Sequence, residues 1–138
     1  MYFSRLALFP LFCIALSQIA CAGSDGVRKK VATELWVGGD DGLTQKFAET
    51  LRTAIEESTD FGTSVSTDSD ALLLTIPTHL YSRPAQGRTN FQYVVIFTDR
   101  QSKYLGVSVG SCWEDSMERC ALSVLSDARI AWAARSEA

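Results

Sequence analysis

Two cysteines eight positions apart, Cys112 and Cys120, are the residues of this sequence with the clearest chemical potential. The other two cysteines, Cys13 and Cys21, belong to a predicted export signal, with which Cys13 is removed while Cys21 is either lipidated or removed. A structural zinc ion usually has four Cys or His ligands, and the rest of the chain offers Cys112 and Cys120 a single histidine, His79. The C-x-x-C spacing of a redox pair is absent. We therefore predict a disulfide between them, with two buried thiols as the alternative, and no metal or cofactor.

The disulfide constrains the local structure. On one continuous helix, residues eight apart would be separated by about 12 Å, which exceeds the distance that a disulfide spans. Cys112 must therefore precede the helix that contains Cys120. We expect that helix to begin near Asp115, with Glu118 completing a variant of the capping box.

An export signal is predicted over residues 1–22. Arg5 precedes an apolar run from Leu6 to Leu16, and small residues end the segment. The run is too short for a membrane span, and Pro10 interrupts it. Cleavage before Cys21 would leave a cysteine for lipid attachment, as in the bacterial lipobox that "QIAC" resembles. Cleavage after Ala22 would instead give a soluble periplasmic or secreted protein.

The segment 23–31 is predicted to be a tether and 32–134 a single domain. Ala22 after a lipidated Cys21 would favour the outer membrane, facing the periplasm. Without the signal the chain has 12 basic and 16 acidic residues, a formal charge of −4. An acidic chain with scattered basic residues is a poor candidate for binding nucleic acid.

Hydrophobic periodicity predicts two amphipathic helices, one capped by Asp40 or Asp41 and ending near Ser58, the other following Asp115. Strands are predicted around them. In "KYLGVSVG", Leu105, Val107 and Val109 alternate with glycine and polar residues, which is typical of a half-buried antiparallel strand. The predicted fold is an α+β two-layer sandwich, with both helices on one face of a mainly antiparallel sheet, in the order β-α-β-β-β-β-α. The strands are "TELWV", "TSV", "ALLLTI", "FQYVVIFT" and "KYLGVSVG".

The polar segment 78–93 is the candidate binding region. If its flanking strands extend, it forms a hairpin with its tip at "PAQG" that presents Tyr81, Arg83, Arg88 and Asn90, and Tyr93 with them. Tyrosine and arginine are enriched at interface hot spots. His79 with Ser82 or Ser111 could suggest a hydrolase, but no nucleophile motif surrounds either serine, so we predict no catalytic residue.

The export signal, "QIAC" and the helix–strands–helix order resemble small bacterial envelope proteins, such as the lipopolysaccharide-assembly lipoprotein of the outer membrane and the N-terminal domain of TolB. The resemblance implies an accessory or assembly role in the envelope, with another envelope protein as partner and a lipid anchor in the membrane. The alternative hypothesis is a soluble periplasmic or secreted binding or inhibitor module that uses the 78–93 hairpin. In neither case is the protein expected to be an enzyme.

Overall fold

A mixed sheet with two helices against one face is the architecture in the computed structural model, which describes residues 29–64 and 69–135. The predicted signal, Cys21 and most of the predicted tether lie outside these ranges. The predicted α+β sandwich is confirmed, and the chain contains one further strand, β4. The elements are β1 Val31–Val37, α1 Gly42–Glu57, β2 Phe61–Thr63, β3 Ala71–Ile76, β4 Tyr81–Ala85, β5 Arg88–Asp99, β6 Tyr104–Trp113, a 3₁₀ turn Glu114–Ser116 and α2 Met117–Arg135.

The twelve-residue strand β5 organises the sheet. On one side it pairs antiparallel with β3 through Ile96–Asp99 and with β4 through Arg88–Gln92. On its other side it pairs antiparallel with β6. Strand β1 pairs in parallel with β3 on one side and with the short strand β2 on the other. The strands β3 and β4 therefore follow one another along the same side of β5, separated by residues 77–80.

The start of α1 holds the segment 77–80, which connects β3 and β4, in place. Asp41 is the predicted cap, and its carboxylate accepts a hydrogen bond from the Thr44 backbone N–H at 3.0 Å. The fully buried Thr44 hydroxyl donates to the Asp41 carboxylate at 2.6 Å and accepts from the Leu80 N–H at 2.9 Å. Thr44 thus takes part in the hydrogen bonds that cap the helix, and its hydroxyl also accepts from a backbone N–H of the connecting segment that would otherwise be buried without a partner.

The core lies between the helices and the inner face of the sheet. Phe47 of α1 meets Phe91 edge-on with ring centroids 5.4 Å apart, and its ring lies 5.3 Å from that of Tyr93. Leu72, Leu74 and Ile76 of β3 are fully buried on this face, as their alternation predicted. Tyr93 is only 5% exposed, so it belongs to the core and not to the presented hairpin.

Strand β6 is half-buried as predicted, but its glycine and serine side faces the helices. Ser108 is 1% exposed, whereas Val109 is 67% exposed. A register shift opposite Phe97 and Thr98 separates Leu105, which packs against the core, from the two valines. Glycines are needed on the inner side because a Cβ on Gly110 would lie 2.6 Å from Tyr93 Cζ, and one on Gly106 would lie 3.2 Å from the Ala131 methyl of α2.

The end of β6 is joined to the start of α2 by the Cys112–Cys120 bridge, with Cα atoms 6.2 Å apart. Cys112 lies in the strand, and Cys120 is the fourth residue of the helix, so the required arrangement is present. The predicted capping box is wrong, because α2 begins at Met117 and Asp115 lies in the preceding 3₁₀ turn. The Asp115 carboxylate instead accepts a hydrogen bond from Arg88 Nε at 2.7 Å.

We expect Gly110→Ala to lower the free energy of unfolding by about 1–3 kcal/mol, because the buried Tyr93 ring would have to move to admit the methyl group. Urea denaturation followed by circular dichroism measures the change. Gly42→Ala is the matched control, since a Cβ there meets no atom within 4 Å and the position is the first of α1. Equal stability of the G110A variant and the wild type would contradict this account of β6.

Candidate functional site: the outer face of the sheet

The sheet face opposite the helices carries most of the exposed apolar surface. Eight large hydrophobic side chains are exposed in the described residues, and the strand register places six of them on this side. We call this surface the outer face. Its exposed large members are Trp36, Tyr81, Val94, Tyr104, Val107 and Val109.

The register shows how these residues are brought together. Trp36 of β1 is paired with Thr75, Thr75 with Ile96, and Ile96 with Val107, so one row crosses the sheet from β1 to β6. Val94 and Val109 form the next apolar pair. Paired residues of neighbouring strands have Cβ atoms about 4.5–5.5 Å apart, so these side chains form one continuous patch.

The patch carries almost no net charge. Glu34 lies between Trp36 and Ala32 on β1, but its carboxylate is paired with the Arg100 guanidinium, and both side chains are less than one quarter exposed. Tyr81 and Arg83 of β4 lie at the other end of the outer face, paired with Gln92 and Asn90. A charged partner surface would therefore find little to bind here apart from Arg83.

Arg83 is exposed and lies beside Trp113. Together with Pro84, Ala85, Asn90 and Ser111 they line a shallow depression of about 480 Å³. Arg83 forms no salt bridge with any residue that the structure describes. Its guanidinium is thus available to an anionic or aromatic group. The predicted hairpin exists, with Gln86 and Gly87 at its tip in positive-φ conformations.

Two of the predicted binding residues, Asn90 and Arg88, make contacts within the domain. Asn90 is 8% exposed, donates from its amide to the Cys112 carbonyl at 3.1 Å and accepts from the Ser111 hydroxyl at 2.9 Å. Arg88 is bound to Asp115, and its guanidinium stacks 4.4 Å above the Trp113 ring. The prediction that Asn90 is presented to a partner is therefore wrong, and Arg88 is already held by intramolecular contacts.

The strand pattern of the sequence predicts the strands of this patch but not the face that their side chains share. It indicates a strand around Trp36 and around Val94 without a face for either. The alternation of Val107 and Val109 with glycine and serine favours burial of the valines, whereas both are exposed. Two signals were available. Gly106 and Gly110 alternate with the valines, and β5 carries apolar residues at both odd and even positions. Together they indicate a crowded inner face and an apolar outer one.

His79 forms a polar cluster outside the patch. Its Nε2 lies 2.7 Å from Asp40 Oδ1 and 3.8 Å from Asp41 Oδ2. The hydrogen bond to Asp40 raises the pKa of His79 above its usual value of 6.5, and the same contact lowers the pKa of Asp40. The ring is 60% exposed, and neither Ser82 nor Ser111 is hydrogen-bonded to it. The cluster is a surface ion pair at the start of α1.

A second concave surface runs between the two helices. This groove has a volume of about 700 Å³, with Ala54, Phe61 and Leu125 in its apolar part and Lys46, Glu57 and Glu118 among its charged lining residues. No group of three or more potential metal ligands occurs among the residues described. In residues 29–64 and 69–135 no helix is long and apolar enough to cross a membrane.

Known proteins give this chain a distant structural likeness and no sequence match. No family model matches the chain, and no curated protein matches its sequence. Among solved structures, a minor lipoprotein from Acinetobacter baumannii is similar, with a TM-score of 0.45 and 13% identity over 78% of this chain and 96% of that one.

We expect the single histidine to titrate above 6.5 in the folded protein, because its protonated form is hydrogen-bonded to Asp40. The contact therefore stabilises the fold fully below about pH 6.5 and ceases to do so as pH rises through the folded-state pKa. NMR of the imidazole protons gives the midpoint directly. Asp40→Asn should lower it, and Asp70→Asn, which removes a carboxylate bound to Arg135, should leave it unchanged. A wild-type midpoint at or below 6.5 would contradict the interaction.

Proposed function

We propose that this chain is a non-enzymatic accessory or assembly protein of the bacterial cell envelope, anchored in the outer membrane through lipid on Cys21. In this proposal the outer face binds another envelope protein. The observation that carries it is the gathering of six exposed large hydrophobic side chains on one sheet face, where the charged Glu34 and Arg100 are paired with each other and Arg83 lies at one end.

Covering the outer face with a partner would remove its apolar side chains from water. Monomeric soluble proteins seldom expose a continuous apolar surface of this extent, and such surfaces commonly bind a partner. Complete burial of an exposed valine side chain contributes about 1.5–3 kcal/mol, and Val107 and Val109, which are 42% and 67% exposed, would gain part of this when covered. Trp36 and Tyr81, at 60% and 67% exposure, are residue types that dominate binding energies at interfaces.

The tether suits an anchored module. Nine residues lie between Cys21 and Val31, the first residue of β1, and the chain from Cys21 to Val31 reaches at most roughly 35 Å when fully extended. A lipid on Cys21 would then keep the domain close to the membrane surface while leaving it free to turn its outer face toward a partner. The export signal, the cysteine and the small polar residues after it are the sequence features that support this part.

A photoreactive amino acid placed at position 36 should cross-link the chain to an envelope protein in living cells, because Trp36 is 60% exposed at the β1 end of the row that crosses the sheet. Position 122 is the matched control, since Leu122 is 61% exposed but lies on α2, on the other layer. Val94→Lys should suppress the cross-link from position 36, and cross-linking is read by gel shift and mass spectrometry.

The anchor is tested in the same cells. The mature N-terminal peptide should begin with a lipid-modified Cys21, and Cys21→Ser should release the protein from the membrane fraction. Equal cross-linking from positions 36 and 122 would remove the outer face from the proposal. An unmodified N-terminus beginning after Ala22 would remove the lipid anchor.

A soluble periplasmic or secreted binding or inhibitor module remains the second candidate, and the exposed, unpaired Arg83 beside Trp113 favours it. Here the 78–93 hairpin would contact the ligand or inhibited partner. Arg83→Ala should then weaken partner binding at least about tenfold in a pull-down titration. Arg88→Ala is the control, because Arg88 is bound to Asp115. Unchanged binding by the Arg83 variant would exclude this use of the hairpin.

A further inference from the structure

Strand β6 forms an edge of the sheet without the usual protection. Within the described residues it pairs with β5 alone, and its ten residues include no charged side chain and no proline. Natural edge strands are commonly blocked by lysine, proline, a bulge or short length. The edge at β2 has only three residues. The irregularity in β6 lies near its start, opposite Phe97 and Thr98, so Gly106–Trp113 is left open to pairing.

The sequence of this edge is symmetric about Ser108. Gly106-Val107-Ser108-Val109-Gly110 reads the same in both directions. An antiparallel pair of two such strands, related by a two-fold axis at Ser108, places each Val107 opposite Val109 of the second copy and each Gly106 opposite Gly110. Both valine pairs lie on the outer face, where apolar cross-strand pairs stabilise a sheet.

The surroundings of the edge fit the same partner. Val107 and Val109 are 42% and 67% exposed on the outer side. On the inner side the Asp127 carboxylate of α2 accepts a hydrogen bond from the Ser108 hydroxyl at 2.6 Å. Ile130 follows Asp127 by nearly one helical turn and is 64% exposed. Apolar side chains therefore flank the edge on both layers, and the absence of charge on β6 removes a source of repulsion between two copies.

We propose that β6 pairs antiparallel with β6 of a second copy of this chain, with Ser108 at the two-fold axis. The two sheets then form one continuous sheet, and the two outer faces lie side by side. Asp127 is a charged group close to the axis, so the association should strengthen as salt increases. The pairing does not require the envelope partner or the lipid anchor proposed above.

Analytical ultracentrifugation of the exported chain carrying Cys21→Ser tests the pairing. The mass measured in solution should be twice the mass of one mature chain. Val109→Lys should raise the dissociation constant at least about tenfold, because both Val107–Val109 pairs of the dimer would lose a valine and the two lysines would be like-charged diagonal neighbours across the pairing. Val94→Lys is the matched control, since Val94 is the neighbour of Val109 on the outer face but lies one strand in from the edge. It should leave the dimer intact.

Cross-linking tests the register without relying on the lysine variant. In a mixture of Val107→Cys and Val109→Cys chains, mild oxidation should join the two kinds of chain, whereas either variant alone should stay largely unlinked. Peptide mapping would show position 107 bonded to position 109. A monomer at every concentration would overturn the proposal. So would a dimer that Val94→Lys also dissociates, or cross-linking as strong in one variant alone as in the mixture.

Discussion

The close packing beneath β6 is the constraint on which the rest of this structure depends. Tyr93 and the Ala131 methyl of α2 occupy the space that side chains of β6 would otherwise fill, so a Cβ on Gly110 would overlap the Tyr93 ring and one on Gly106 would lie 3.2 Å from the Ala131 methyl. Gly110 lies against the Tyr93 ring, which in turn packs against Phe47 of α1. The helix α1 and the sheet are thus connected through one aromatic cluster, and the disulfide holds the start of α2 against the end of the same strand.

This packing has a consequence for the opposite surface. When glycine and serine occupy the inner positions of β6, the valines between them must point away from the helices, because side chains alternate along a strand. The outer face is therefore apolar for the same reason that the inner face is tightly filled. The half-buried Glu34 carboxylate on this face is paired with Arg100, so the apolar side chains around it lie beside a neutralised charge. Both proposals rest on this coupling of the two faces.

The hairpin shows where local sequence signals stop being sufficient. Its turn residues and its position were predictable, because "PAQG" favours a turn and aromatic residues follow it. The sequence did not predict which side chains of the hairpin are accessible to a partner. Asn90 is drawn into the sheet by hydrogen bonds to Cys112 and Ser111, and Arg88 is held by Asp115 and Trp113. These contacts join residues more than twenty positions apart, which no local pattern reveals. Tyr81 and Arg83 remain at the surface.

The sequence by itself determined the two amphipathic helices, the buried side of β3 and the α+β class, and it limited the cap of α1 to Asp40 or Asp41, because each follows from residue periodicity or from a neighbour three or four positions away. It also required that Cys112 precede the helix that bears Cys120, since the length of a disulfide is fixed. Only the tertiary structure decided which face of β6 is buried, that β3 and β4 share one side of β5, and that Trp36 joins Val107 in one row. Those features depend on strand register and on the volume of the Tyr93 and Phe97 rings, which are set by contacts between distant segments.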